Sequence, residues 1–164
     1  MKTELQQSVK RKIPLAPHLK PDEQARSRKV RETALLYLCV SIGSVIGSVL
    51  RALASLAALA WFGPAFPWGT LLVNIVGSFV IGFYATFAGP NGRLFSGTYQ
   101  RQFVMTGICG GFTTFSAFSL EAFQLMQRSE LVLAGLYIGA SVVTWLAAVW
   151  CGHALASRLN RLGG

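Results

Sequence analysis

The stretch richest in usable chemistry is Gly107-Ile-Cys-Gly-Gly-Phe-Thr-Thr-Phe-Ser-Ala-Phe-Ser-Leu-Glu121. Gly110 and Gly111 weaken a helix. Thr113 and Thr114 are β-branched, and their hydroxyls compete for backbone groups. A break in the helix is therefore expected there. The stretch lies near the middle of an apolar run. Non-helical backbone at membrane depth survives only when it is buried in protein or lines a cavity. Carbonyls freed by such a break would form a small hard-cation site without any carboxylate. Phe112, Phe115 and Phe118 are spaced by three, so they share one helical side with some drift. Thr114, Ser116 and Ser119 supply hydroxyl donors. Aromatic rings carry a positive edge. Ring edges, hydroxyls and an amide N–H can together replace the water shell of a small anion. The plainer reading of the same residues is a Gly/Ser-rich packing face with an aromatic core.

Three further polar residues stand inside apolar runs. Asn74 lies more than one turn into the run that begins near Trp68. A carboxamide at that depth must find partners, either in a neighbouring helix or in a pore. Arg51 comes late in the first run, which places it near a membrane face. There it would snorkel to headgroups or line an aqueous mouth that draws anions inward. Glu121 falls towards the end of the third run, as a gate or a cap. The remaining candidates are poor. His153 stands alone, and Glu130 sits in a turn. Cys39, Cys109 and Cys151 are far apart within apolar segments, which argues against a disulfide framework or a zinc site. There is no HExxH, no GxSxG and no pair of acids. Nothing assembles a catalytic site, so the chain reads as no enzyme.

The elements that must position these residues follow from composition. Of the 164 residues 52% are hydrophobic and only 13% are charged. Soluble domains carry about 25% charged residues, so lipid is the expected solvent. Four apolar runs, 34–62, 68–88, 103–126 and 131–157, are each long enough to cross a bilayer, which takes about 20 residues. The fold class is an all-α membrane protein of four transmembrane helices, the third broken near its middle. Residues 1–33 hold nine of the fifteen Lys and Arg, with Pro14, Pro17 and Pro21, and read as a disordered basic tail. They contain no apolar core of a secretory signal. Residues 34–157 form the membrane domain, and 158–164 a short C-terminal tail. Gly43 and Gly47 form a GxxxG pair, and Gly77, Ser78 and Gly82 smooth the second run, as small residues do where helices approach closely. The halves 34–88 and 103–157 do not match each other, which argues against duplication.

Charge sets the expected orientation. With four spans both termini share a face. That face holds the tail, the 89–102 loop with Arg93 and Arg101, and the C-terminal Arg158 and Arg161. The other face holds Arg128. Lys and Arg prefer the cytoplasm, so both termini are expected inside the cell membrane.

Three signatures, in order, resemble the Fluc/CrcB family of fluoride channels over nearly all of residues 34–157. They are Gly43-xxx-Gly47-Ser48-xx-Arg51, Gly69-Thr70-Leu71-Leu72-Val73-Asn74-xx-Gly77, and Gly110-Gly111-Phe112-Thr113-Thr114-Phe115-Ser116-Ala117-Phe118-Ser119-x-Glu121. The third is the most specific. The resemblance implies an antiparallel dimer with two fluoride pores. It implies a central structural Na⁺ on backbone carbonyls of Gly110 and Thr113 from each subunit. It implies pore roles for Asn74, Phe115 and Phe118, with Thr114 and Ser116 nearby, and for Tyr137 and Ser141 in the fourth helix. Arg51 would lie near a vestibule. The implied function is passive fluoride export, and with it fluoride resistance of a microbial cell. The sequence departs from the pattern at Ala52, where an aromatic often follows the arginine, and at Thr144-Trp145, where small residues are common. An antiparallel homodimer needs a subunit that inserts both ways, yet the charge bias here is strong. The second subunit is therefore an identical copy or a close relative of opposite orientation. Two other classes compete. A small proton-coupled drug or cation exporter needs a titratable carboxylate in the membrane, for which only Glu121 is available. A scaffold subunit would transport nothing.

Overall fold

The computed structural model describes residues 21–89 and 97–161. All regular structure among them is helical. Helix α1 is Pro21–Phe62, and α2 is Trp68–Phe87. The third span is assembled from pieces: α3, Thr98–Arg101; a π-helical stretch, Gln102–Cys109; α4, Gly110–Phe112; and α5, Phe115–Gln127. Helix α6 is Leu131–Arg161. Four helical segments, Asp22–Phe62, Trp68–Phe87, Thr98–Gln127 and Leu131–Arg161, are long and apolar enough to cross a membrane.

The element boundaries differ from the sequence reading at their ends. Helix begins at Pro21, so residues 21–33 are helical where a disordered tail was expected. Their local signals explain this. Proline suits the first helical position, and Asp22 and Glu23 occupy the first turn, where negative charge is favoured. Arg28 Nε donates to Glu32 at 2.9 Å, one turn apart on the exposed surface. The rest of the expected tail, residues 1–20, lies outside the described residues, as does Arg93 of the 89–102 loop. Helix α6 also continues to Arg161, beyond the expected end at 157, with Arg158 and Arg161 in its last turn. The chain divides into two compact units, Met1–Ala34 and Leu35–Gly164. Helix α1 from Leu35 onward and all of α2 to α6 belong to the second.

Turn chemistry fixes the hairpins. Gly63 closes α1 with φ +74°, a left-handed conformation that a side chain disfavours. Its N–H donates to the Leu59 carbonyl at 2.9 Å. Between α5 and α6, Arg128 N–H donates to Gln124 and Glu130 N–H to Leu125, around Ser129 at φ 62°.

Glycines set the helix approaches, as expected where lipid supplies no hydrophobic driving force between helices. A Cβ on Gly82 of α2 would collide with the Val149 carbonyl of α6, and one on Gly152 of α6 with the Phe79 carbonyl of α2. On the other side of the bundle, a Cβ on Gly47 of α1 would collide with the Ile108 carbonyl, and one on Gly43 would lie 2.7 Å from the Phe103 carbonyl. The π-helical stretch is thus held against the GxxxG face of α1. Because these obstacles are backbone atoms, Gly152→Ala is expected to cost about 1–3 kcal/mol, read as a lower thermal unfolding midpoint in detergent. An unchanged midpoint would contradict the close approach.

Inside the bundle Leu71, Phe118, Ala122, Leu125, Ala134 and Tyr137 form the core, with Phe66, Ile75 and Trp145 packed against it. The outer faces carry exposed Leu53, Leu56, Leu136, Val143, Leu146 and Trp150, the pattern of a surface solvated by lipid.

Candidate ion pathway

The helix of the third span stops at Thr113, whose backbone is extended (φ −85°, ψ 159°), as is that of Thr114 (φ −152°, ψ 123°). In a continuous helix the Thr114 N–H would close on the Gly110 carbonyl. Here it donates instead to Asn74 Oδ1 at 2.7 Å, and Asn74 Nδ2 donates to the Thr114 carbonyl at 2.9 Å. One buried carboxamide, 5% exposed, thus clamps both backbone groups of Thr114 and replaces the lost helical acceptor of its N–H. Unmet, that N–H would cost about 1–3 kcal/mol. Helix α5 then restarts on its own cap: Ala117 N–H donates to Thr114 Oγ1 at 3.1 Å, and Ser116 Oγ lies 3.1 Å from the same oxygen.

The break leaves the Gly110 carbonyl, one of the cation donors the resemblance implies, without the Thr114 N–H as its helical partner. Gly110 is exposed, and a Cβ on it would meet nothing within 4 Å. Among the described residues no cluster of His, Cys, Asp and Glu could hold a metal. Backbone oxygens of the Gly110–Thr113 segment are the donors that fit a small hard cation. Two carbonyls from one chain leave most of a coordination shell unfilled.

Two clefts meet at this break. One, of about 230 Å³, is bordered by Asn74, Ser78, Thr113, Thr114, Phe115 and Trp145. The other, about 550 Å³ and wide open, is bordered by Ser48, Arg51, Thr106, Gly110, Thr114 and Ser116, and again by Phe115. Arg51 therefore shares its cleft with the break itself. Phe115 stands at both clefts and is 72% exposed.

Phe118 lies one turn further along α5 and is 6% exposed. Its ring is 5.5 Å from Phe115, 5.2 Å from Tyr137 and 4.9 Å from Trp145, the last edge-on. Beyond it sits a second polar group. Glu121 accepts from Thr70 Oγ1 at 2.8 Å and from Tyr137 Oη at 2.7 Å. It also borders a third cleft, lined by Ser55, Gly63, Thr70 and Arg128. Neither contact caps a helix: the carboxylate ties α5 to α2 and α6. Tyr137 and Ser141, one turn apart on α6, are both fully buried. Two polar groups thus flank the Phe115–Phe118 pair: Asn74 with Thr114 at the break, and Thr70 with Glu121 and Tyr137.

A profile of the family described as CrcB-like protein, Camphor Resistance (CrcB), matches residues 38–153. The chain is 57% identical over 136 residues to "Fluoride-specific ion channel FluC 1" of Rhodopseudomonas palustris strain BisB18, covering 83% of this chain and 96% of that protein. It is 49% identical over 129 residues to "Fluoride-specific ion channel FluC" of Opitutus terrae, covering 79% and 98%. A protein of the same name from Paramagnetospirillum magneticum is 45% identical over 127 residues, covering 77% and 99%. The chain belongs to the CrcB family. It is a multi-pass membrane protein.

The span matched by the CrcB family contains all of these residues, from Arg51 to Trp145. Of the residues singled out in the sequence, the structure brings Asn74, Thr114, Ser116 and Phe115 to the break, and Phe118, Glu121, Tyr137 and Ser141 to the core beyond it. Arg51 joins the first group through its cleft. His153 is apart from both: its Nδ1 is 2.8 Å from Thr86 Oγ1. The three cysteines are free thiols. Sequence reasoning assigned no role to Thr70, although the signal was present. It stands four residues before Asn74 on α2, and so on the same face.

Proposed function

We propose that this chain forms a fluoride-selective channel that lets fluoride leave the cell passively through the plasma membrane, its termini cytoplasmic. The observation that carries the reading is the Phe115–Phe118 pair set between two polar groups, at a helix break that Asn74 holds open. A small, strongly hydrated anion needs donors at each step to replace its water. Arg51 supplies attraction at one mouth, and hydroxyls and ring edges line the middle. The names of the CrcB relatives agree with that chemistry.

The functional unit in this reading is a dimer. Phe115, Gly110, Thr106 and Ser116 are exposed in the middle of an apolar span, and polar groups facing lipid are costly. A second subunit, identical or a close relative inserted the opposite way, covers them. It also brings Gly110 and Thr113 carbonyls to complete the shell of a structural Na⁺, whose fixed positive charge would hold the two subunits and the breaks in place. Replacing Na⁺ by N-methylglucamine is then expected to weaken the dimer in detergent, while proteoliposomes take up no ²²Na⁺ with fluoride. Coupled Na⁺ uptake would overturn the structural role.

Expression in a bacterium stripped of its own fluoride exit route tests the function. The channel reading predicts growth at fluoride concentrations that arrest the parent; no rescue by membrane-inserted protein counts against it. The exporter alternative turns on Glu121, the one acid among the described transmembrane residues of the core. If it drove proton-coupled efflux, a protonophore would stop transport. As a channel, fluoride flux down its own gradient continues unchanged with the protonophore present.

A further inference from the structure

The cations near the start of α1 take no part in the ion pathway. Arg26, Arg28, Lys29 and Arg31 stand within one and a half turns of helix, and all four are exposed. Five steps separate the first from the last, about 8 Å along the axis. Arg26 and Lys29 are three apart and share one side, and Arg28 and Arg31 share another. The four therefore form a belt around the helix. Arg28 is paired with Glu32 at 2.9 Å. Arg26, Lys29 and Arg31 make no ion pair with another described residue. The acids Asp22 and Glu23 lie in the first turn, where the helix dipole already favours them. The sequence before the belt keeps the same sign: Lys2, Lys10, Arg11, Lys12 and Lys20, against Glu4 as the one acid of residues 1–20.

The span matched by the CrcB family starts at residue 38, so the belt is additional to the shared membrane body. A cluster of cations needs counter-charge, and phosphate is the group that suits it. Guanidinium forks bind phosphate oxygens in pairs. Lipid headgroups and nucleic acids both offer phosphates, and the covalent tether decides between them. Arg31 is four residues from Leu35, where the membrane unit begins. Four residues reach at most about 14 Å. A tether that short holds headgroup phosphates at high effective concentration. A nucleic acid would have to come from solution.

We propose that Arg26, Arg28, Lys29 and Arg31 form a docking surface for anionic lipid headgroups, of the phosphatidylglycerol class, in the leaflet where the N-terminus emerges. Each cation near an anionic surface strengthens such binding about fivefold. The belt then anchors the start of α1, and the order of that segment depends on lipid charge. The surface needs no particular cargo, so it stands or falls separately from the fluoride reading.

The test is amide hydrogen exchange of residues 22–33 in the full chain, held in nanodiscs of phosphatidylcholine alone or with 30% phosphatidylglycerol, at equal ionic strength. Phosphatidylglycerol is expected to slow exchange of this segment at least fivefold, and 0.5 M NaCl to reverse the slowing, since exposed charges are screened within a few ångströms at such salt. The variant carrying Arg26→Gln, Arg28→Gln, Lys29→Gln and Arg31→Gln is expected to exchange alike in both nanodiscs. Each protein serves as its own baseline, so the lost Arg28–Glu32 pair does not confuse the comparison. A variant with Arg26→Lys, Arg28→Lys and Arg31→Lys is expected to keep most of the slowing. Equal exchange of the wild type in both nanodiscs would overturn the proposal, as would slowing that persists in the glutamine variant. Should that variant not fold, the salt response of the wild type decides. A DNA duplex that abolishes the slowing at 150 mM salt would make the belt a nucleic-acid surface and the lipid assignment wrong.

Discussion

Asn74→Ala is expected to abolish fluoride flux and to destabilise the protein together. The carboxamide makes two hydrogen bonds to the backbone of one residue, accepting from Thr114 N–H and donating to its carbonyl. Alanine leaves the Thr114 N–H unpaired, at about 1–3 kcal/mol, while the Thr114 carbonyl keeps the first bond of α5 as its N-cap. Stability should therefore fall by about 1–3 kcal/mol, seen as a lower unfolding midpoint in detergent. Asn74→Asp separates the two functions. It keeps an acceptor for Thr114 N–H but sets a carboxylate against the Thr114 carbonyl, so the break is half held and a negative charge repels the anion. Flux should be lost by more than a hundredfold with a smaller loss of stability. Full flux in folded Asn74→Ala would show that the clamp is dispensable.

Phe118→Ile is expected to leave a folded dimer that conducts at least a hundredfold more slowly. Phe118 is the hub of the aromatic group, meeting Phe115, Tyr137 and Trp145. Isoleucine keeps an apolar core residue but has no ring edge. A hundredfold slowing corresponds to about 2.7 kcal/mol of added barrier. That is within reach of two lost edge contacts to a desolvated anion, since aromatic interactions run at about 0.5–1.5 kcal/mol even between neutral rings. The stability cost should be smaller than for Asn74→Ala, because no polar group is orphaned. If flux and dimer survive together, the ring edges are packing only.

Much of this was legible in the residues. Hydropathy alone gave four spans, and Gly110-Gly111 with Thr113-Thr114 gave the break within them, because local backbone preference and helix competition are sequence-local effects. What escaped was relational. Asn74 was open between a helix-to-helix bond and a pore wall; only the structure shows that both its bonds go to Thr114. Glu121 was open between gate and cap, and Thr70 and Tyr137 turn out to hold it, from two other helices. Residues 21–33 were read as tail from their charge, yet Pro21, the acidic first turn and the Arg28–Glu32 pair support a helix. Trp145 stood out in sequence only as an oddity. Its indole N–H has no partner among the described residues, which only three dimensions reveal.

The most direct measurement is halide efflux from liposomes containing purified protein, read with fluoride and chloride electrodes under a matched K⁺/valinomycin clamp. The prediction is rapid fluoride release with no chloride release, lost in Phe118→Ile. Equal release of both halides, or none from folded protein co-expressed with an oppositely oriented relative, would contradict a fluoride-selective pore.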